Sequence, residues 1–282
     1  MSIPATSGTA RADAVLRPRH PLRLSGEQET LVIPLYAKAL DYRSKHSILH
    51  DRRAEELVQS IDFDFERLRS PGNPRVLAVR AWQYDVWIRE FLAARPRSLV
   101  LNLGCGLDTR IARIGPPASA LWIDLDFPEV IELRRNFFSE LDGYRMLGAS
   151  LTDPDWLGNV PADRPVLAVA DGVFEYLSED GVRSVVGRLT ERFAHGQVAF
   201  DVMNSYALNL GNARLQGKTE ARLRFAVDDL RRVDAFVPTW RRTTTVSVLA
   251  SRVLPFRYRL IYALAYLSPN LRNTIRMVRY EF

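Results

Sequence analysis

A parallel, doubly wound α/β sheet is the fold class this sequence predicts, and three observations predict it. From residue 98 onward, short apolar runs alternate with helical patterns, the order of strand–helix–strand units. The first run leads into a glycine turn, LVLNLGCGLDTR at 99–110. Two acidic residues, Asp124 and Asp126, close the next run about 20 residues later, where such sheets place ligand contacts.

The bulk numbers fit a globular chain. With 282 residues, 47% apolar and 26% charged, it can bury a core without disulfides or metals. Cys105 is the single cysteine, so no intramolecular disulfide can form. The net charge is +6, but the basic residues are mostly Arg and are spread along the chain. No Lys/Arg-only run marks a nucleic-acid tail, and no nucleic-acid partner is expected. The N-terminus lacks the continuous apolar stretch of a signal peptide. The run LIYALAYL at 260–267 is far short of the roughly 20 residues a membrane span needs. The expectation is a soluble cytoplasmic protein with no membrane partner.

Element by element, residues 1–25 mix Ser, Thr, Ala, Pro and Arg without periodicity and are expected as a mobile arm. From Glu29, Leu31, Leu35 and Leu40 recur at helical spacing beside Val32 and Tyr36. DRRAEELVQSI at 51–61 opens on Asp51, a natural N-cap. SPGNP at 70–74 breaks the pattern, and residues 76–95 form one long amphipathic helix that ends before Pro96. Strands are expected at 98–104, 120–126, 144–150, 165–173 and 197–204, with helices at 127–140 and 178–194. A long polar connection from 205 to 240 contains a helix near 227–237, and late strands are expected at 241–251 and 274–282. The organisation is one domain over 26–282: a helical cap (26–97), a ligand-binding core (98–204), a lid insert (205–240) and C-terminal strands and helix (241–282).

The glycine turn narrows the ligand class. Glycines let backbone N–H groups approach a ligand with no Cβ between. A carboxylate at the end of the second strand accepts hydrogen bonds from ribose hydroxyls, so the ligand is adenosine-like. A dinucleotide turn wants a third glycine, where this chain has Thr109, and a helix start free of negative charge, where it has Asp108. S-adenosylmethionine carries ammonium, carboxylate and sulfonium groups, which suit nearby Asp and Arg better. A dinucleotide oxidoreductase remains the rival on pattern alone.

LVLNLGCGLDTR, LWIDLDFPEVIELRR and VADGVFEYLSEDGV together resemble the three signature blocks of the leucine carboxyl methyltransferase-like family. Within it the chain is most similar to the polyketide-type, tetracenomycin-related O-methyltransferases. ETLVIPLYAKALDYR, ILHDRRAEELV and IDFDF resemble that branch's N-terminal segment, so the likeness runs from about Glu29 to the C-terminus. The resemblance implies a class I methyltransferase, with a Rossmann-like, mostly parallel seven-stranded sheet, that uses S-adenosylmethionine to methylate carboxylates or hydroxyls. It implies that Arg80 pairs with the methionine carboxylate and that Gly104, with Gly106 in the same turn, lies beneath the methionine. Asp126 would hold the ribose with Asp124 close by, Ser150 and Leu151 would flank the adenine, and Asp171 would sit near the amino group. Two positions depart from the family: Ser150 stands where an Asp is usual, and Asp171 where a Glu is usual.

Other residues have plainer readings. Arg80 could instead pair with Asp85 or Glu90 on a helix surface. Cys105 has no His beside it and suits a tight turn as a small filler. His20, His46, His50 and His195 show no metal spacing, and no metal is expected. Trp82, Tyr84 and Trp87 read as packing, and 256–267 as a packed helix beside the active site. A hydroxyl acceptor would benefit from a base; Tyr176, Asp201, Asn204 and Tyr206 lie beyond strand ends, but none is singled out. Arg222, Arg224, Arg231 and Arg232 of the insert could draw a small anionic acceptor. A protein C-terminal carboxylate is the alternative acceptor, and a catalytically silent donor-binding partner the alternative role.

Overall fold

Strand β1 (Leu99–Leu103) is buried at every residue, as a strand covered on both faces must be. The computed structural model describes residues 20–22, 26–68, 74–265 and 267–282. Of the expected N-terminal arm, all but 20–22 therefore lies outside the described residues. Around β1 stand β2 (Leu121–Asp126), β3 (Tyr144–Gly148), β4 (Val166–Ala170), β5 (Gly196–Met203), β6 (Arg241–Ser247) and β7 (Ile275–Glu281). They form one seven-stranded sheet in the order β3-β2-β1-β4-β5-β7-β6. Strands β1 to β5 pair in parallel, and β7 runs antiparallel to both β5 and β6. The strand order reverses between β1 and β4, which opens a crevice beyond their carboxyl ends.

Alternate residues of β1 feed opposite cores. Leu99, Leu101 and Leu103 pack with Phe174, Val185 and Phe200 on one face. Val100 packs on the other with Tyr84, Trp87 and Ile88 of helix α3 (Arg75–Ala94). Tyr84 and Trp87 thus belong to the core. A third cluster joins α1 (Val32–Tyr42) and α2 (Arg52–Ser60) to Leu107 of the glycine turn. The helical segment before the sheet is therefore seated on the turn itself.

Helix α4 (Arg110–Ile114) follows β1, α5 (Pro128–Arg135) follows β2, and α6 (Glu179–Arg192) follows β4. Ser178 caps α6 by accepting from the Gly181 N–H, with Glu179 and Asp180 on the favourable side of the helix dipole. Helix α5 stops at Arg135, short of the expected 140.

The 205–240 connection departs most from expectation. It contains α7 (Ser205–Leu215), capped by Asn204, which the sequence reading did not foresee. No residue of α7 is buried, so no apolar face marks its period. The helix expected at 227–237 shrinks to α8 (Arg231–Asp234), because Val227 N–H donates to Met203 O and the preceding residues run alongside β5. Helix α9 (Phe256–Ala265) packs through Tyr258 and Tyr262, while Phe256, Leu260 and Ile261 are exposed. After α10 (Pro269–Arg272) the chain closes with β7.

Asp51 ties the cap to the core. Its carboxylate caps α2 through Ala54 N–H at 3.0 Å and also accepts from Thr109 and Arg113 beside the glycine turn. Asp51→Ala removes a cap and one anionic partner of a buried guanidinium that keeps Asp85 and Asp108. The variant should lose about 2–3 kcal/mol, read from the midpoint of denaturant unfolding.

Candidate active site

The turn after β1 is pinned to β2. Cys105 N–H donates to Leu125 O at 3.0 Å, and Gly106 N–H donates to the Asp126 carboxylate at 2.7 Å. Gly104 and Gly106 have φ of 60° and 48°, which favour glycine. A Cβ on Gly104 would stand 2.5 Å from the Val173 side chain, so the position has no room for one. Cys105 is buried in the turn, and burial pushes its thiol well up, consistent with packing rather than nucleophilic chemistry.

Beyond this turn lies a cavity of about 720 Å³. Arg80, Gly104, Gly106, Asp126, Ser150, Leu151 and Asp171 all line it, so the structure gathers seven of the expected positions at one place. Asp126 is the last residue of β2 and also accepts from Phe127 N–H at 2.8 Å. Burial pushes its carboxyl up to about 6, against those two backbone hydrogen bonds. Ser150 holds its turn through Thr152, with its hydroxyl 2.8 Å from the Thr152 hydroxyl.

Asp124 does not belong to the cavity. Its side chain is fully buried, and Oδ1 accepts from Asn102 and from the Trp122 indole, each at 2.8 Å. Oδ2 takes Tyr144 at 2.7 Å and Arg134 at 2.5 Å. Both oxygens are thus used in holding β1, β2, β3 and α5 together. The expectation that Asp124 sits close to the ribose is corrected by this closed network.

Arg80 is held from three sides. It contacts Asp171 at 2.6 Å, Asp201 at 3.1 Å and Glu175 at 3.9 Å. The surface pairing weighed for it does not occur: Asp85 binds Arg110 and Arg113, and Glu90 binds Arg279. Gly172, with φ of 74°, makes way for Arg80, since a Cβ there would lie 2.5 Å from the guanidinium. Arg110, fully buried, bridges Asp85 of α3, Asp108 of the turn and Asp171. Burial raises the Asp171 carboxyl, but Arg80 and Arg110 outweigh it and hold the group below the usual range.

Three residues that the sequence reading passed over belong here. Lys38 of α1, buried, reaches Asp108 at 2.6 Å. Arg110 is part of the LDTR signature, so its place after the turn could have marked it. Glu175, 4% exposed and lining the cavity, had no signal beyond proximity to Asp171.

Of the residues weighed as bases, Tyr176 lines the cavity. Asp201 is committed to Arg80, to Tyr84 and to Gly172 N–H. Asn204 caps α7, and Tyr206 is half-exposed away from the cavity lining. Of the four insert arginines weighed for the acceptor, Arg224 lines the cavity, while Arg231 pairs with Asp229 and Arg232 with Glu179. Arg214 and Lys218, at and just beyond the end of α7, line it instead. Among the described residues of α9 none lines the cavity, against the expectation that this helix stands beside the site. Among the described residues no three His, Cys, Asp or Glu side chains are placed to hold a metal ion.

The strand order, the glycine turn and the carboxylate at the end of β2 define a class I S-adenosylmethionine-dependent methyltransferase. Residues 31–190 match the leucine carboxyl methyltransferase family, and the chain belongs to it. It is 39% identical over 267 residues to the tetracenomycin polyketide synthesis O-methyltransferase TcmP of Streptomyces glaucescens, covering 93% of this chain and 98% of that one. It is 32% identical over 238 residues to the S-adenosyl-L-methionine-dependent methyltransferase dpfgK of Gibberella zeae, covering 76% and 80%. Among solved structures, a candidate methyltransferase of Thermobifida fusca YX shares the fold with a TM-score of 0.59 and 18% identity, over 89% of this chain and 95% of that one. The protein is an enzyme that transfers a methyl group from S-adenosylmethionine.

Asp124→Ala tests the structural account of that carboxylate. It leaves Arg134 buried without its anion, and should cost about 3–5 kcal/mol of stability. Thermal unfolding followed by circular dichroism reads the loss; an unchanged melting temperature would return Asp124 to the list of ligand contacts.

Proposed function

We propose that the chain methylates an oxygen, carboxylate or hydroxyl, of a small polyketide-like acceptor held between the cap and the 205–240 insert. The cavity carries this reading. It opens at the donor turn and is lined on one side by Leu31, Ile33 and Leu35 of the N-terminal segment. On the other it is lined by Leu210, Leu215 and Leu223 of the insert, which would act as its lid. Apolar walls from two separate segments suit a compact acceptor better than a chain terminus. The named relative acts in tetracenomycin polyketide synthesis, which supports the acceptor class. The cytoplasm is the proposed compartment, since the sole cysteine is buried and nothing depends on a disulfide.

The cradle fits the donor: two left-handed glycines, a strand-end carboxylate and a guanidinium face one space. Arg80 would hold the methionine carboxylate and Gly104 and Gly106 would lie under the methionine. Asp126 would take the ribose hydroxyls, Ser150 and Leu151 would flank the adenine, and Asp171 would stand near the amino group. When bound, S-adenosylmethionine supplies an activated methyl group on sulfur. The chain's own task is to align the acceptor oxygen with that methyl and to keep water out.

Methyl transfer is tested directly by incubating the protein with labelled S-adenosylmethionine and hydroxylated aromatic acids; label in an ester or ether product supports the reading, and binding of NAD in preference to S-adenosylhomocysteine would overturn it. Arg80→Ala should weaken donor binding by roughly 10- to 100-fold, the worth of one hydrogen-bonded charge. Calorimetry reads it, and undiminished affinity would make Arg80 a structural ion-pair residue only. Asp126 sets a pH dependence. Its ionised form accepts from the ribose, and its carboxyl sits near 6. Donor affinity should therefore fall as pH drops through about 6, and Asp126→Asn should remove that step.

A further inference from the structure

Helix α9 is held to the body from one side. Tyr258 and Tyr262 join the apolar core beneath it, and Arg75 of α3 donates to the Tyr258 hydroxyl at 3.1 Å. At about 100° per residue, Phe256 and Leu260 stand on the opposite side, with Arg257 and Ile261 on one flank and Arg259 on the other. That outer face is open. Phe256 is 70% exposed, Ile261 59% and Leu260 55%, and Leu267 just beyond the helix is exposed as well. Large apolar side chains exposed singly are ordinary; three together on one helix mark a surface that meets something apolar.

The charge around this face has one sign. Between Asp234 and Glu281 the sequence holds eight arginines and no aspartate, glutamate or lysine. Arg241, Arg242 and Arg279 pair with Glu281, Asp234 and Glu90, and Arg276 is buried. Arg252, Arg257 and Arg259 are exposed, and no carboxylate among the described residues pairs with them. Arg257 lies over the Tyr258 ring, 4.9 Å from its centre. The helix thus carries an apolar ridge between uncompensated cations. Such a helix suits a lipid interface, where apolar side chains enter the acyl boundary and long arginine stems carry their charge back to the phosphates.

We propose that α9 seats the protein on an anionic lipid bilayer, with Phe256, Leu260 and Ile261 in the acyl boundary and Arg257 and Arg259 on lipid phosphates. The expectation of no membrane partner came from the lack of a span, and no described helix is long and apolar enough to cross a membrane. A helix lying flat in the interface needs no such length. Charge complementarity selects the occupant. A second copy would bring the same unpaired arginines to a self-matching contact. An anionic bilayer offers apolar depth and negative charge on one surface. The seat also adjoins the site: α9 packs against the short turn Val248–Ala250, whose Leu249 lines the cavity.

The test needs no knowledge of the acceptor. The full chain is mixed with vesicles of phosphatidylcholine alone, or of phosphatidylcholine and phosphatidylglycerol in about equal parts, and the bound fraction is read by sedimentation. The anionic vesicles should bind it at least about 10-fold more tightly. Phe256→Ser combined with Leu260→Ser leaves every charge in place and should weaken that binding roughly 10- to 100-fold. Arg257→Gln combined with Arg259→Gln keeps the apolar ridge and should weaken it roughly 10-fold. Both pairs should bind S-adenosylhomocysteine as the wild type does, which reports an intact fold. No binding to the anionic vesicles overturns the proposal. So does binding that the serine pair leaves unchanged, since that is adsorption through the general positive charge of the chain. Self-association that the serine pair abolishes, without vesicle binding, assigns the face to a second copy and overturns it too.

Discussion

Two buried guanidinium groups, Arg80 and Arg110, organise the carboxyl ends of the strands. Arg80 comes from α3 and binds acids at the ends of β4 and along β5. Arg110 comes from the helix after the glycine turn and binds α3, the turn and the same Asp171. Neither charge could be buried alone, because desolvation would outweigh any local contact. Each therefore fixes where its carboxylates must stand, and those carboxylates fix the geometry of the site. Gly172 is small because Arg80 occupies the space a Cβ would fill.

The helices before the sheet are coupled to this arrangement rather than laid over it. Lys38 reaches Asp108 from α1, and Asp51 reaches Thr109 and Arg113 from the start of α2. Leu107, inside the turn, packs in the same apolar cluster as α1 and α2. The wall of the cavity and the glycine turn at its floor are thus one connected structure. Loss of order in the cap would carry through these contacts to the turn.

The same burial logic separates two acids of one strand. Asp124 and Asp126 lie two residues apart on β2, but Asp124 is paired in register with Asn102 and Met146 inside the sheet. Arg134 closes over it. Asp126 stands at the strand's end, where the sheet stops and the cavity begins. One carboxylate is structural and the other is open to a ligand because of a single strand step.

Likeness to a family supplied the donor class; the sequence by itself determined the parallel sheet, the glycine turn and the strand-end position of Asp126. These depend on local features: apolar runs, φ-permissive glycines and spacing along the chain. It also placed Arg80 correctly before β1, through likeness to a family. It could not say that Asp124 would be consumed by Trp122, Asn102, Tyr144 and Arg134, because only the last three-dimensional neighbours decide which oxygens stay free. It missed α7, whose residues bury no face and so leave no periodic trace. It passed over Glu175, which stands 3.9 Å from Arg80 beside the carboxylates that Arg80 binds. Arg80, Asp171, Glu175 and Asp201 come from α3, the segment after β4, and β5, far apart in sequence, and only the tertiary structure brings them within a few ångströms of one another.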